Sequence, residues 1–218
     1  MSEGNIIDND KKDKKFFIYF RHAEKLYSNG KAPYGLPQHD SPITGSSIPL
    51  IKRKSSELIE KFGIPEKIIM SPYLRIYQTV HELISILQDQ TTMYENIFYD
   101  LNIAEYLGHQ RGPIDLSKQT LETFDVSEFP QPGETLTELK KRVIDHLKIV
   151  HIDENNLSEN NHKLVWVVTH GLVIKTIYDI IKKYNNCKKN NVDQFYPLEL
   201  DYLIIQCNSD NTIELLFK

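Results

Sequence analysis

The stretch Phe16-Phe17-Ile18-Tyr19-Phe20-Arg21-His22 joins a run of aromatic and β-branched residues to two polar ones. A continuous apolar run of this kind is typical of a strand that is buried on both faces of a sheet. The run stops at Arg21 and His22, which places both residues at the end of the predicted strand. In an open parallel sheet, the carboxyl ends of the strands form the edge where ligands bind.

Two further segments repeat this arrangement. Leu164-Val165-Trp166-Val167-Val168-Thr169 is a second apolar run, and His170-Gly171 follows it directly. Lys67-Ile68-Ile69-Met70 is a short third run that leads into Ser71-Pro72-Tyr73-Leu74-Arg75-Ile76-Tyr77-Gln78-Thr79. Two imidazoles and two guanidiniums at one sheet edge would make a pocket for a phosphate group, in which one histidine can attack phosphorus.

Helix and strand patterns alternate along the rest of the chain. Apolar residues at helical spacing predict helices over about 50–62, 74–87, 135–150 and 171–181, with Pro72 in the first turn of the second. Strands are expected at 92–99 and 202–207, the latter with a hairpin partner at 212–217. The alternation predicts a three-layer α/β fold with a mostly parallel central sheet and helices on both faces. We expect a disordered arm at 1–15 and one domain at 16–218, with long loops at 26–49 and 100–134.

Composition narrows the class of protein. The chain has 218 residues and a formal charge of −4, which argues against a nucleic-acid-binding surface. Its apolar runs are too short to span a bilayer, and its polar N-terminus does not resemble a signal peptide. Cys187 and Cys207 have no zinc-ligand spacing and fit free thiols in a reducing compartment. These features predict a cytoplasmic protein with no membrane, nucleic-acid or metal partner.

The three motifs together resemble those of the histidine phosphatase superfamily, branch 1, which includes the cofactor-dependent phosphoglycerate mutases. That family carries Arg-His-Gly, Ser-Pro-x-x-Arg-x-x-Gln-Thr and Thr-His-Gly in the same order, and the resemblance runs from about residue 16 to 207. It implies a phosphoglycerate mutase-like fold and a metal-independent, cofactor-free phosphatase that forms a phosphohistidine on a phosphorylated substrate.

Site roles follow from the residues and from this resemblance. His22 is the predicted nucleophile, since a neutral imidazole with its usual pKa of ~6.5 is available near physiological pH. Arg21 and Arg75 are the predicted phosphate clamps, because guanidinium stays charged and offers a planar fork of donors. The resemblance implies that His170 contacts the phosphoryl oxygens. The structural alternative for either histidine is a buried strand-end residue with satisfied hydrogen bonds.

The proton donor is a carboxyl group in the irregular segment after the second motif, as the resemblance implies. Glu105, in Leu101-Asn102-Ile103-Ala104-Glu105-Tyr106-Leu107-Gly108, is the predicted residue. Glu24 is the competitor because it lies next to the nucleophile in sequence.

The sequence also departs from the family pattern. Ala23 stands where the family has glycine, which is expected to restrict the backbone. Arg-His-Ala-Glu-Lys is most similar to the Arg-His-Gly-Glu-Arg variant of the ubiquitin-associated and SH3-containing phosphatase branch, so Lys25 is expected to bind phosphate in place of an arginine. The family's Leu-Thr-x-x-Gly element corresponds to Ile43-Thr44-Gly45 or to Leu50–Lys54, the latter with better spacing.

Other histidines lack comparable surroundings. His39 and His109 are expected in loops that border the substrate, and His146 and His151 on a helix surface. Two alternatives to a phosphatase stay open: a phosphoglycerate mutase, and a catalytically weak family member that serves as an interaction domain. Neither the substrate nor the oligomeric state can be predicted from the sequence.

Overall fold

A computed structural model describes residues 14–27, 40–88, 91–108, 129–150, 164–184, 195–208 and 212–216. The strands are β1 (Lys15–Arg21), β2 (Lys67–Met70), β3 (Ile97–Tyr99), β4 (Leu164–Thr169), β5 (Tyr202–Cys207) and β6 (Ile213–Leu216). The helices are α1 (Ile48–Phe62), α2 (Leu74–Ile84), α3 (Thr91–Glu95), α4 (Leu136–Lys148) and α5 (Gly171–Tyr184), with short 3-10 turns at Gly45–Ser47 and Leu101–Ile103.

These strands form one sheet in the order β3-β2-β4-β1-β5-β6. The first four are parallel to one another, whereas β5 runs antiparallel to β1 and continues into the β5–β6 hairpin. Each connection between consecutive parallel strands contains at least one helix, as is usual for the crossover that parallel strands require. The mixed α/β fold and the hairpin partner of β5 are therefore confirmed.

Helices cover both faces of the sheet. Alternate side chains of β1 separate the core into two clusters, because successive residues of a strand point to opposite faces. Ile18 and Phe20 lie in the cluster that includes buried residues of α1 and α2. Phe17 and Tyr19 lie in the cluster that includes buried residues of α4 and α5. The three-layer arrangement is thus the one expected from the sequence.

Several predicted boundaries differ from the structure. The first half of the strand expected at 92–99 is the short helix α3, of which only Met93 is buried, and β3 has three residues. Helix α2 begins after Tyr73 as its N-cap, so Pro72 precedes the helix. It ends at Ile84, with Ser85 as its C-cap, and the Ser85 hydroxyl donates to the Glu82 carbonyl at 2.8 Å.

The chain termini are only partly described. Lys15, which was assigned to the N-terminal arm, is the first residue of β1, and residues 1–13 lie outside the described ranges. Within the described ranges, no helix has the length and apolar character needed to cross a membrane.

Candidate active site

The ends of three adjacent parallel strands lie side by side. In the sheet register Arg21 of β1 is opposite Thr169 of β4, and Met70 of β2 is opposite Val168. Backbone bonds extend this alignment one residue further: His22 N–H donates to the Thr169 carbonyl at 3.0 Å, and Ser71 N–H donates to the Val168 carbonyl at 3.1 Å. The residues that follow the strands are therefore brought to one edge of the sheet.

His22 is held in a defined orientation and tautomer. Its side chain is buried, and its Nδ1 lies 2.7 Å from the carbonyl oxygen of Ala23. Because a carbonyl oxygen only accepts, Nδ1 carries the hydrogen and Nε2 of the neutral ring keeps its lone pair. Burial lowers the pKa of His22 well below its usual value, and the charge of Arg75 lowers it further. His22 is therefore a neutral imidazole at physiological pH.

His170 faces His22 across the site, with ring centroids 5.4 Å apart. Its Nδ1 lies 3.2 Å from Nη2 of Arg75, and its Nε2 lies 2.9 Å from the Ser71 hydroxyl. Since a guanidinium nitrogen only donates, Nδ1 accepts and Nε2–H points to Ser71. Burial and then the Arg75 charge lower the pKa of His170 well below its usual value.

Arg75 is completely buried at the start of α2. Its Nη1 donates to Oδ1 of Asp40 at 3.1 Å, while its Nη2 contacts both His170 and Oε2 of Glu105. Asp40 also accepts the Leu74 N–H, at 3.0 Å and 2.8 Å from its two oxygens. A buried guanidinium needs such partners to offset its lost hydration. Sequence reasoning missed Asp40, because nothing around it in the 26–49 loop distinguishes it.

The two candidate proton donors have different surroundings. Glu105 follows the 3-10 turn after β3, contacts Arg75, and has a side chain that is 25% exposed. Glu24 is exposed, and its Oε2 accepts a bond from the Thr44 hydroxyl at 3.1 Å. Of the two carboxylates, only Glu105 contacts a member of the His22–Arg75–His170 cluster in the described residues.

Arg142 of α4 fixes the segment that carries Glu105. Its Nη1 donates to the carbonyls of Asn102 and Ala104, both at 2.8 Å, and its Nη2 lies 3.4 Å from the Glu105 carbonyl. Glu134 holds the other side of the guanidinium, at 2.6 Å from Nε and 3.0 Å from Nη2. Sequence reasoning did not single out this clamp, which joins residues about 40 positions apart.

Arg21 differs from its expected arrangement. Its Nη1 donates to the Pro197 carbonyl at 2.8 Å and its Nη2 pairs with Glu199 at 2.9 Å, so both terminal nitrogens are engaged by the 195–201 segment. Its buried Nε has no hydrogen-bond partner among the described residues. The side chain passes close to Gly171, where a Cβ atom would lie 3.2 Å from Nε. The predicted convergence therefore holds for His22, Arg75 and His170, with Arg21 at the margin.

Lys25 contributes charge from a neighbouring position. It forms an isolated antiparallel bridge with Ile43, next to Thr44, which precedes α1. Of the two candidates for the family's Leu-Thr-x-x-Gly element, Ile43-Thr44-Gly45 thus lies next to this bridge, whereas Leu50–Lys54 lies inside α1. After burial and Arg75, the charges of Arg21 and Lys25 also lower the pKa of His22. Lys25 is thus near enough to add to the positive potential of the site.

His146 was predicted on a helix surface, and this is wrong. The ring is completely buried, with Nδ1 2.7 Å from Asp100 Oδ2 and Nε2 3.1 Å from the Tyr19 hydroxyl. The hydrogen bonds to these two polar partners offset the free energy that burial of the ring on the apolar face of α4 costs. His39, His109 and His151 lie outside the described residues. Among those described, no group of three or more His, Cys, Asp or Glu side chains is arranged to hold a metal ion.

Comparison with known proteins gives the family. The family model for the histidine phosphatase superfamily (branch 1) matches residues 17–206, and the chain belongs to that superfamily. It is 29% identical over 166 residues to the uncharacterized phosphoglycerate mutase family protein R708 of Acanthamoeba polyphaga mimivirus, covering 74% of this chain and 76% of that protein.

Solved structures share the fold at low sequence identity. A phosphoglycerate mutase from Bacillus anthracis superimposes with a TM-score of 0.64 at 15% identity, covering 96% of this chain and 95% of that one. A mycobacterial glucosyl-3-phosphoglycerate phosphatase superimposes with a TM-score of 0.59 at 15% identity, covering 93% of this chain and 97% of that one. The fold is therefore that of phosphoglycerate mutase-like proteins.

Proposed function

We propose that this protein is a phosphatase that hydrolyses a phosphate monoester through a phosphohistidine on His22. The observation that carries the proposal is the 2.7 Å contact between His22 Nδ1 and the Ala23 carbonyl. Because this contact occupies Nδ1, the lone pair on Nε2 of the neutral, buried ring is available. The ring lies beside Arg75 and His170. Membership of the histidine phosphatase superfamily supports the same chemistry.

In the first step, the substrate phosphate takes up the donors of Arg75 that Glu105 now occupies. A phosphate dianion is a stronger competitor for a guanidinium than a single carboxylate, since it carries more charge on more oxygens. The displaced Glu105 carboxyl then lies beside new negative charge, which favours its protonated form. Nε2 of His22 bonds to phosphorus while the ester P–O bond breaks, and Glu105 delivers its proton to the leaving oxygen.

In the second step, the phosphohistidine is hydrolysed. Glu105, now a carboxylate, accepts a proton from a water molecule as the water oxygen attacks phosphorus. The bond between Nε2 and phosphorus breaks, which returns a neutral His22 and releases inorganic phosphate. Arg75 provides fixed positive charge to the phosphoryl oxygens in both steps. The balance is one ester and one water converted to one alcohol and one phosphate.

The mutase alternative is less well supported by the segment around Glu105. A resemblance to the phosphoglycerate mutases implies a Leu-Asn-Glu-Arg-x-Tyr-Gly segment whose Arg grips the substrate carboxylate. Here Ile103 and Ala104 interrupt that motif, and both are completely buried in the core. A buried apolar side chain offers no charge to a carboxylate. The interaction-domain alternative does not require the charged pairing of Arg75 with Asp40 and Glu105 beside two neutral histidines.

Rapid quenching of enzyme during turnover of p-nitrophenyl phosphate tests the proposal. The quenched protein is expected to carry phosphate that is stable in alkali and labile in acid. His22→Ala should lose both the label and the activity, whereas His81→Ala, a histidine of α2 with a half-exposed side chain, should keep both. Label retained in His22→Ala would contradict the assignment. A coupled assay with 3-phosphoglycerate distinguishes hydrolysis from a mutase reaction.

A further inference from the structure

Tyr73 lies inside the cluster of charged and imidazole groups. It is completely buried, two residues after Ser71 and two before Arg75. Its ring meets the His170 ring edge-on, with centroids 5.0 Å apart and an interplanar angle of 81°. The Cζ atom of Arg75 lies 4.7 Å from the centre of the same ring. Tyr73 therefore contacts two of the groups that we assign to the phosphoryl group.

The Tyr73 hydroxyl is buried and has no hydrogen-bond partner among the described residues. An unpaired buried hydroxyl is unfavourable and uncommon in native proteins. The backbone holds the residue in place, since Tyr73 N–H donates to the Ser71 carbonyl and its own carbonyl accepts from Ile76 and Tyr77, each at 2.9 Å. These hydrogen bonds therefore fix the backbone from which the Tyr73 side chain extends.

The charges around this hydroxyl are those of the site. Burial raises the pKa of Tyr73 well above its usual value, and the negative charge of Glu105 is the next largest cause. The phenol therefore stays protonated throughout the neutral range and is available as a hydrogen-bond donor. Its largest electrostatic neighbour is the carboxylate that a bound phosphate would displace from Arg75.

We propose that Tyr73 is a further phosphate-binding residue, whose hydroxyl donates a hydrogen bond to an oxygen of the bound phosphoryl group. This assignment rests on the proposed phosphatase function. An anion that replaces the Glu105 carboxylate on Arg75 brings a charged acceptor to the region of the hydroxyl. The hydroxyl, which has no hydrogen-bond partner among the described residues, thus becomes paired when phosphate is bound.

The test is titration calorimetry of inorganic phosphate into the full chain, combined with thermal unfolding in the absence of phosphate. Tyr73→Phe removes only the hydroxyl. It should weaken phosphate binding roughly 10- to 100-fold, the range for a hydrogen bond to a charged acceptor. Its Tm without phosphate should be unchanged or higher, because the hydroxyl has no hydrogen-bond partner among the described residues. Tyr202→Phe, a matched change on β5 outside the site, should leave phosphate binding unchanged.

Three results would overturn the inference in distinguishable ways. Equal phosphate binding by wild type and Tyr73→Phe would remove Tyr73 from the site while leaving the proposed function intact. A clear fall in the Tm of phosphate-free Tyr73→Phe would show that the hydroxyl has a structural partner. Failure of the wild-type protein to bind phosphate would overturn both this assignment and the proposed function.

Discussion

Nδ1 of His22 lies 2.7 Å from the carbonyl oxygen of the next residue, Ala23. The peptide unit around Ala23 is itself fixed, because Ala23 N–H donates to the Thr79 hydroxyl at 3.1 Å. That hydroxyl donates to the Arg75 carbonyl at 2.7 Å. The orientation of the proposed nucleophile is therefore tied to the helix that carries Arg75, the proposed phosphate-binding arginine, and Thr79 of the second motif makes the connection.

Ala23→Gly is expected to give no gain in activity. Among the described residues, positive φ angles occur at Leu200, Gly63 and Gly133, so Ala23 has a backbone conformation that any residue adopts. Glycine there adds entropy to the unfolded chain and removes a buried methyl group. We expect the free energy of unfolding to fall by about 1 kcal/mol in urea titrations. A kcat several-fold above wild type would instead show that alanine restricts the site.

Glu105→Gln should slow the hydrolysis of alkyl phosphates far more than that of p-nitrophenyl phosphate. The p-nitrophenolate leaving group needs little protonation, whereas an alkoxide needs a proton as it leaves. General acid catalysis contributes roughly 10²–10⁴-fold, so the loss of kcat on alkyl phosphates should lie in that range. Glu24→Gln is the matched control and should affect both substrates little. Equal slowing of both substrates by Glu105→Gln would point to another donor.

Arg142→Met tests whether the clamp on the 102–105 backbone acts through Glu105. We expect kcat on alkyl phosphates to fall roughly 10-fold or more, because the proton donor loses its fixed position. In a Glu105→Gln background the same change should add little, since residues that act as a unit are not additive. Lys141→Met, an exposed neighbour on α4, serves as the control. Fully additive losses in the double variant would mean that Arg142 acts independently of Glu105.

Stability should fall as the pH is lowered below neutrality. The pKa values of His22 and His170 are both held well below the usual value in the folded protein, by burial and then by Arg75. In the unfolded chain these rings titrate near ~6.5. As the pH drops through that value, the unfolded chain binds more protons than the folded protein, and the free energy of unfolding decreases. The contribution of the two neutral rings to stability is fully present at pH values above the pKa of histidine in the unfolded chain.

Urea unfolding at pH 7.5, 6.5 and 5.5 measures this effect. His22→Asn should lose less stability than wild type between pH 7.5 and 5.5, because one of the two histidines with a lowered pKa is absent. His81→Asn removes a histidine with a half-exposed side chain and should reproduce the wild-type slope. Identical slopes for His22→Asn and wild type would contradict the assignment of a neutral His22 in the folded protein.

Much of the fold and the centre of the site could be predicted from the sequence. The apolar runs at 16–20 and 164–169 identified β1 and β4, because a short apolar run rich in β-branched and aromatic residues is typical of a strand buried on both faces. Parallel strands present their carboxyl ends on the same edge, so the positions of His22 and His170 followed directly from the ends of those runs. The resemblance to the superfamily added the roles.

The partners of these residues could not be predicted in the same way. His146 has the sequence surroundings of a surface helix residue, yet Asp100 and Tyr19 satisfy both of its ring nitrogens in the core. The strand predicted at 92–99 became α3 and a three-residue β3, since so short a segment takes its structure from what it packs against.

The sequence by itself determined the central strands β1, β2 and β4 and the residues at their ends, because a local run of apolar side chains indicates a buried strand and where it stops. Tertiary structure alone decided that Asp40 and Glu105 hold Arg75, that Arg142 holds the Glu105 segment, and that Arg21 is turned toward Glu199. These contacts join charged groups from distant parts of the chain. Their geometry depends on how loops and helices pack around the sheet edge, since a buried charge is stable only where the fold supplies its partner.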